Sequence, residues 1–291
     1  IWATNVLPLF IMIYLIGWWR RDRYWGALIW AALGSVLAQL HMSGFFYCAA
    51  FAGWDLAFGG KWRPGHKSTK WLGAIVGAAA TSYPLLPWIA YVRSGVDKSP
   101  PYNWDNVESV RFFRQWYSDA AGFGFDYNLG SQFADFLRYP KLSDKPIYDD
   151  LYPNLFVQGI CFTIVGYIVL SALLRLWREG LPISQLMTTL RECSDTAFTA
   201  CAAFFGYGTL ITFFSIYIWR HYMVISFPLE WVSVTLLAAR YVRRPRTALV
   251  LLWGAQLWLS VSLLHFIHDH HGALGGDYGP SYGSQYGSHV R

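Results

Sequence analysis

Three polar side chains of this 291-residue chain lie inside long apolar stretches, where a polar group is costly. Gln39 and His41 belong to the run AQLHMSGFF, and Glu230 lies two residues after Pro228 in a later run. In a membrane-spanning helix such groups face the protein interior or a cavity, so each is a candidate to contact a ligand. The alternative is hydrogen bonding between helices, and Pro228 should bend the helix that carries Glu230.

Two further pairs of candidates lie at the ends of apolar runs. Arg220 and His221 precede the run with Glu230, and an arginine can form paired hydrogen bonds with phosphate oxygens. The alternative is an interfacial anchor at the end of a span. Asp277 and Tyr278 stand between glycines in GALGGDYGPSYGS, and glycines let a backbone approach a ligand closely. We expect Asp277 to contact ligand hydroxyls, with a disordered terminus as the alternative.

The tract HFIHDHH, over residues 265–271, raises the question of a metal site. His265 and His268 are three residues apart and share a helix face, which suits a divalent ion. The tract fixes no fourth ligand, however, so surface or cap contacts are the favoured interpretation. We assign no cofactor and no metal ligand from the sequence, and a divalent metal stays open.

The composition is that of a helical membrane protein. Hydrophobic residues make up 55% of the chain and charged residues only 14%, against about 25% in a typical soluble protein. The formal net charge of +6 comes from Lys and Arg residues that cluster at the ends of apolar runs. Membrane topology explains this charge better than a nucleic-acid surface does, so the lipid bilayer is an expected partner and nucleic acid is not.

The apolar run 25–58 is the key to the topology. Its 34 residues would form a helix of about 50 Å, whereas the hydrocarbon core of a bilayer is about 30 Å thick. Basic clusters flank both ends of the run, and basic residues mark the cytoplasmic side. The run therefore predicts a helical hairpin of two crossings, with Gln39 and His41 at its tip on the outer face.

The same reasoning predicts an all-α, polytopic transmembrane bundle of about eight spans. The spans are Ile1–Trp19, Trp25–Leu40, Met42–Phe58, Trp71–Tyr91, Asn154–Leu174, Thr196–Ile218, His221–Ala239 and Thr247–Phe266. Four regions follow: spans one to four in 1–91, a small aromatic-rich extracytoplasmic cap in 92–153, spans five to eight in 154–266 and an extracytoplasmic tail in 267–291. A helix over Asn106–Ala121 is expected within the cap, because apolar residues recur there at helical spacing.

Three motifs give the chain a resemblance to a known family. They are Gln39-Leu40-His41-Met42-Ser43 with a later span ending Pro84-Leu85-Leu86-Pro87-Trp88, Arg220-His221-Tyr222 leading into Phe227-Pro228-Leu229, and Gly275-Gly276-Asp277-Tyr278-Gly279. In this order they resemble the C-terminal portion of a bacterial integral-membrane glycosyltransferase of the GT-C fold class, the relatives of protein O-mannosyltransferases.

The resemblance implies transfer of a sugar from a polyprenyl-phosphate donor to a glycan, lipid or protein acceptor, by inverting displacement. The active face would be the extracytoplasmic side of the bacterial inner membrane. In the family the catalytic base is an Asp of the first extracytoplasmic loop, which would precede Ile1, so we expect an N-terminally truncated fragment and assign no catalytic residue. The substrate-binding candidates are Gln39, His41, Arg220, His221, Glu230, Asp277 and Tyr278.

Two other function classes stay open. A transporter or lipid flippase could use Glu230, Gln39 and His41 as relay groups within the membrane, although such proteins often show two matching halves and the sequence has no internal repeat. A non-catalytic membrane subunit could use the aromatic segment 92–153 as a docking surface.

Overall fold

A computed structural model of the chain describes residues 6–63, 68–94, 102–108, 110–122, 124–140, 151–180, 183–214, 217–218 and 220–270. Within these ranges the structure is helical and contains no β-strand, which confirms the all-α prediction. Three of the described helical segments are long and apolar enough to cross a membrane: Pro153–Glu179, Asp195–Phe213 and Pro245–Asp269.

The helices are numbered along the chain. The described α-helices are α1 (Leu7–Trp19), α2 (Tyr24–Leu40), α3 (Met42–Phe58), α4 (Trp71–Ser82), α5 (Leu86–Arg93), α6 (Trp104–Glu108), α7 (Arg111–Ala120), α8 (Phe125–Leu129), α9 (Phe133–Arg138), α10 (Pro153–Glu179), α11 (Ile183–Glu192), α12 (Asp195–Cys201), α13 (Gly208–Phe213), α14 (Leu229–Tyr241) and α15 (Pro245–Asp269). A π-helical segment, Ala202–Tyr207, joins α12 to α13, and a 3₁₀ helix, Arg220–Ser226, precedes α14.

The chain divides into two compact units, each built from two separate stretches of sequence. Unit 1 comprises Ile1–Trp116 and Leu181–Ser233, and unit 2 comprises Tyr117–Gly180 and Val234–Arg291. These boundaries differ from the sequence-based division at residues 91, 153 and 266, because each unit collects helices from both halves of the chain.

Helices α2 and α3 form a hairpin with His41 as the single residue between them. Cys48 Sγ donates to the carbonyl of Gly34 over 3.3 Å, and Gly44 packs against the carbonyl of Leu37. As the residue number increases along α2, the number of the contacting residue on α3 decreases, so the two helices run antiparallel. The helix break lies where the length of the apolar run predicts it.

Helix α4 packs parallel to α2 across two glycines. Gly73 lies against the carbonyl of Tyr24, and Gly77, one turn further on, lies against the carbonyl of Leu28. A Cβ atom at Gly77 would lie 2.2 Å from that carbonyl oxygen. Small residues at such positions let helix backbones approach each other closely, as they do in membrane proteins.

Aromatic side chains fill the interior of unit 1. The ring centroids of Trp18 and Phe51 are 4.9 Å apart, and those of Tyr47 and Phe51 are 4.5 Å apart. Phe198 of α12 lies parallel to Trp18, with 6.3 Å between the centroids. All four rings are buried, so they hold α1, α3 and α12 together through large apolar contacts.

Among the described residues of unit 1, two arginines are buried, and both are paired with a carboxylate. Arg21 Nε donates to Asp55 Oδ1 over 2.8 Å, and Thr69 Oγ1 donates to the other oxygen of Asp55 over 2.7 Å. Arg63 Nη1 donates to Asp195 Oδ1 over 3.0 Å. From the sequence, these arginines indicate only which ends of the spans face the cytoplasm. In the fold they also connect the ends of α1, α3 and α12.

Unit 2 is built on α10 and α15, which pack against each other. Buried amides tie α10 to its neighbours: Asn154 Nδ2 donates to the carbonyl of Phe136, and Gln158 Nε2 donates to the carbonyl of Gly122, both over 2.9 Å. Trp258 Nε1 of α15 donates to Asn154 Oδ1 over 3.0 Å. Polar groups that would be costly in an apolar interior are thus satisfied within the unit.

Three predicted helices are interrupted in the structure. The segment 71–91 divides near Pro84 into α4, a 3₁₀ turn and α5, and Pro228 separates the 3₁₀ helix 220–226 from α14. Proline lacks the N–H that would continue a helix. The single helix expected over Asn106–Ala121 is wrong: α6 and α7 are separated there, and Val110 takes the left-handed conformation, with φ of 41°.

Candidate functional site

His41 connects α2 to α3 in an extended conformation, with φ of −155° and ψ of 136°. Its backbone N–H donates to the carbonyl of Leu37 over 3.0 Å and closes α2. Its ring Nδ1 accepts the backbone N–H of Ser43 over 3.2 Å, so the side chain acts as the N-cap of α3. Because an accepting Nδ1 carries no proton, the proton of the neutral ring is on Nε2.

Tyr222 covers the ring of His41. The two rings meet edge to face, with their centroids 4.9 Å apart. The carbonyl of Tyr222 accepts a hydrogen bond from the hydroxyl of Tyr207 over 3.3 Å. Two distant parts of the sequence, the α2–α3 turn and the 3₁₀ helix 220–226, therefore meet in unit 1.

Tyr207 ends the π-helical segment, which packs against α3. In a π-helix each hydrogen bond spans one residue more than in an α-helix, and such segments occur frequently at functional sites. Tyr207 and Tyr47 are fully buried, and their ring centroids are 5.4 Å apart. The hydroxyl of Tyr47 has no hydrogen-bond partner among the described residues.

Glu230 lies in the first turn of α14 and is only 4% exposed. The sequence puts it well inside a continuous span, but the break at Pro228 leaves it at a helix N-terminus, where the helix dipole favours a negative charge. Ser226, also buried, donates its hydroxyl to a carboxylate oxygen of Glu230. Ser226 ends the 3₁₀ helix that carries Tyr222, so its hydrogen bond connects Glu230 to that helix.

These contacts define a polar cluster in unit 1. Its members are His41, Ser43, Tyr207, Tyr222, Ser226 and Glu230. The cluster offers an imidazole and a carboxylate for proton transfer, and hydroxyl groups for hydrogen bonding to a polar ligand. His41 and Tyr222 are partly exposed, whereas the other four side chains are buried, so these two rings mark the accessible side of the cluster.

Gln39 does not join this cluster. Its Nε2 donates to the carbonyl of Thr81 on α4 over 2.8 Å and to the carbonyl of Ser35 over 3.1 Å. The side-chain amide therefore links α2 to α4, which corresponds to the helix-to-helix alternative.

An apolar groove of about 360 Å³ lies between α2, α3 and α4. Small side chains form much of its wall, among them Gly34, Ala38 and Ala78, and the rings of Trp30 and Trp71 close one part of it. The volume is within the range of small-molecule sites, about 300–1,000 Å³, and the lining suits an apolar chain.

Four of the substrate-binding candidates cannot be assigned contacts. The side chains of Arg220 and His221, and all of Asp277 and Tyr278, lie outside the described residues. The backbone of Arg220 and His221 begins the 3₁₀ helix that carries Tyr222, so the two residues are neighbours of the polar cluster along the chain.

The part of the chain that the structure describes contains no group of three His, Cys, Asp or Glu side chains able to hold a metal ion. His265 and His268 lie near the end of α15, and His271 lies outside the described residues. Asp269, beside them, accepts a hydrogen bond from the hydroxyl of Tyr139 over 2.8 Å.

Two members of the polar cluster carry no signal in the sequence. Tyr207 and Ser226 lie in apolar runs where a single hydroxyl is common, and only the fold brings them to Tyr222 and Glu230. Ser43 belongs to the first sequence motif, and its role could have been found, because a serine two residues after a helix break is a frequent partner in helix capping.

Comparisons with protein families, with curated proteins and with solved structures found no match for this chain.

Proposed function

We propose that the chain is part of a membrane glycosyltransferase that moves a sugar from a polyprenyl-phosphate donor to a glycan, lipid or protein acceptor. The observation that carries the proposal is the contact between His41 and Tyr222. It joins two of the three motifs on which the resemblance to GT-C glycosyltransferases rests, although different elements carry them. Binding of one ligand by both motifs would explain why the two motifs lie in contact.

In this proposal the polar cluster forms part of the donor site. His41 and Tyr222 hydrogen-bond the sugar, and Arg220, two residues before Tyr222, stabilises the negative charge of the departing lipid phosphate. The acceptor hydroxyl loses its proton to a carboxylate and attacks the anomeric carbon, with inversion, as the bond to the phosphate breaks.

The apolar groove is a further observation in favour of a lipid-linked donor. It lies between α2, α3 and α4, and α2 ends next to His41. A polyprenyl chain carries no hydrogen-bonding groups, so a wall of small and aromatic side chains suits it. The groove would hold part of the lipid while the cluster holds the sugar phosphate.

We also propose eight crossings of a bacterial inner membrane, with the active face and the aromatic cap on the extracytoplasmic side. The alternating directions of α2, α3 and α4 support successive crossings. Basic residues precede α2 at Arg23, follow α3 at Arg63 and precede α4 at Lys70, whereas His41 lies at the opposite end of the hairpin. Basic residues favour the cytoplasmic side, so His41 would face outward.

The test is sugar transfer from a polyprenyl-phosphate donor by the intact protein. We expect Arg220→Ala to lower turnover by about 10²-fold, the order found when one group that stabilises developing charge is removed. Glu230→Gln should also lower turnover, because it weakens the hydrogen bond that Ser226 donates to Glu230 within the polar cluster. Glu179→Gln is the matched control, because this carboxylate is exposed in unit 2 and should be dispensable. Wild-type turnover in both Arg220→Ala and Glu230→Gln would overturn the roles proposed here.

A transporter or lipid flippase is the second candidate. The break at Pro228, with buried Glu230 in the first turn of the following helix, favours it, because discontinuous helices form ion and substrate sites in transporters. In sealed vesicles a transporter would move a labelled lipid or solute across the bilayer, and Glu230→Gln would stop it. Sugar transfer by the detergent-solubilised protein, where no compartments exist, would decide for the transferase.

A further inference from the structure

Six arginines and one carboxylate gather at one end of unit 2. The arginines are Arg175, Arg178, Arg240, Arg243, Arg244 and Arg246, and the carboxylate is Glu179. They come from the last turns of α10, the last turn of α14, the short connection after it and the first turn of α15. We call this set the arginine end of unit 2.

Direct contacts bring these elements together. The guanidinium carbon of Arg175 lies 6.0 Å from the ring centroid of Tyr241, which ends α14. A cavity of about 470 Å³ is lined by Arg175, Arg178, Glu179 and Tyr241. The cavity therefore opens between α10 and α14, within a strongly positive surface.

Within the described residues this charge is largely uncompensated. Arg175 pairs with Glu179 over 2.9 Å, in an exposed i,i+4 contact whose side chains are 58% and 48% accessible. Five of the six guanidinium groups form no hydrogen bond and no ion pair with any described residue; they belong to Arg178, Arg240, Arg243, Arg244 and Arg246.

The buried arginines of unit 1 differ from these in that each is paired with a carboxylate of the chain. Arg21 is paired with Asp55 and Arg63 with Asp195, so these guanidinium groups find their counter-charges inside the protein. Among the described residues, the arginine end of unit 2 has one carboxylate for six guanidinium groups, so most of its charge has no counter-charge within the described part of the chain.

The position of the arginine end indicates where that counter-charge lies. α10 and α15 are long and apolar enough to cross a membrane, and the arginines stand at their ends, at the level of lipid headgroups. Trp177, one residue before Arg178, is 79% exposed, as tryptophans of the membrane interface are. Guanidinium groups form paired hydrogen bonds with phosphate oxygens.

We propose that the arginine end of unit 2 binds the phosphate groups of anionic phospholipids in the adjacent leaflet. The site is separate from the polar cluster and does not depend on the proposed transferase activity. It would fix the depth and the lipid surroundings of unit 2 in the bilayer.

The experiment places the purified protein in nanodiscs of phosphatidylcholine that contain a minor fraction of phosphatidylglycerol, and native mass spectrometry measures which lipid stays bound. We expect the wild type to be enriched in phosphatidylglycerol over the bulk. In the variant Arg178→Gln/Arg243→Gln/Arg244→Gln/Arg246→Gln this preference should disappear, because each arginine near a membrane surface contributes about fivefold to anionic-lipid binding.

The matched control removes four exposed basic side chains from unit 1, in the variant Arg20→Gln/Arg23→Gln/Lys70→Gln/Arg191→Gln. This control lowers the net charge by the same amount as the fourfold arginine variant, and it should keep most of the enrichment in phosphatidylglycerol. Equal loss in both variants, or no enrichment in the wild type, would overturn the proposed site. Arg243→Gln/Arg244→Gln alone, in the connection between α14 and α15, should lose a measurable part of the enrichment even if the fourfold variant folds poorly.

A second arm separates lipid from soluble anion. Inorganic phosphate is added to the detergent-solubilised wild type without lipid, and the unfolding temperature is measured. We expect no shift from phosphate and an upward shift from phosphatidylglycerol. An equal shift from phosphate that vanishes in the fourfold variant would assign the site to a soluble phosphate and contradict the lipid proposal.

Discussion

The rings of His41 and Tyr222 meet edge to face, 4.9 Å apart, while Nδ1 of the same histidine caps α3. His41 thus has a structural contact through one ring nitrogen and a contact with the polar cluster through the rest of its ring. The two contacts can be separated by substitution, because a helix cap needs only an acceptor atom near the chain.

His41→Ala should lower the free energy of unfolding by about 1 kcal/mol, the usual loss when an N-cap acceptor is removed. His41→Asn keeps an acceptor at the cap and should restore most of that stability. Both variants lack the imidazole, so both should lose sugar transfer in the assay proposed above. Full turnover in His41→Asn would show that His41 serves the fold alone.

The buried pair of Arg21 and Asp55 should be a sensitive point of unit 1. Asp55→Asn leaves the Arg21 charge buried without its counter-charge, and we expect a loss of about 3–5 kcal/mol in unfolding free energy. Arg21→Met combined with Asp55→Leu removes both charges and should recover most of the loss. In the exposed pair, Glu179→Gln should change stability by at most about 0.5 kcal/mol. A double variant no better than Asp55→Asn would argue against this account.

Gly77→Ala should destabilise the protein, because its Cβ would lie 2.2 Å from the carbonyl oxygen of Leu28 and would force α4 away from α2. The expected cost is about 1–3 kcal/mol, as for overpacked interiors. Gly53→Ala is the matched control: nothing lies within 4 Å of its Cβ position, and alanine favours a helix over glycine by about 1 kcal/mol. Thermal unfolding in detergent compares the two, and equal effects would contradict the close packing of α2 and α4.

The hydroxyl of Tyr139 should have a pKa above that of an ordinary tyrosine. Burial, the hydrogen bond to Asp269 and the negative charge of that carboxylate all raise the pKa of the Tyr139 hydroxyl. The bond is therefore intact below the ordinary value of about 10 and is lost as the pH rises through the raised pKa.

Asp269→Asn removes the charge, so the pKa of Tyr139 should fall toward the ordinary value while burial keeps part of the shift. The difference in ultraviolet absorbance between the protein and its Tyr139→Phe variant follows this one tyrosine through the titration. Asp135→Asn, an exposed carboxylate of α9, is the control and should leave the midpoint where it is. An unchanged midpoint in Asp269→Asn would remove Asp269 from the explanation.

The hairpin at His41 could be predicted from the sequence because it follows from length and charge alone. A run of 34 apolar residues is too long for one crossing, and basic residues flank both of its ends. The break at Val110 could not be predicted, because a β-branched residue rarely takes a positive φ and only tertiary contacts can hold it there.

The candidate site was only partly predictable for a related reason. His41 and Glu230 stand out as polar residues in apolar sequence, and Tyr222 belongs to a motif. The position of their partner Tyr207 is set by the π-helical segment, and no local sequence pattern predicts that segment. Asp55 could have been recognised, since a carboxylate inside an apolar helix calls for a buried cation such as Arg21.

The π-helical segment Ala202–Tyr207 behaves like an insertion that the helix has absorbed. Deleting one residue, for example Ala203, would let α12 and α13 continue as one regular α-helix, because a π-helical turn holds about one residue more than an α-helical turn. The same deletion in a regular helix would turn everything after it by about 100° about the axis. The π-helical turn therefore lets the chain carry one extra residue while Tyr207 still reaches the carbonyl of Tyr222.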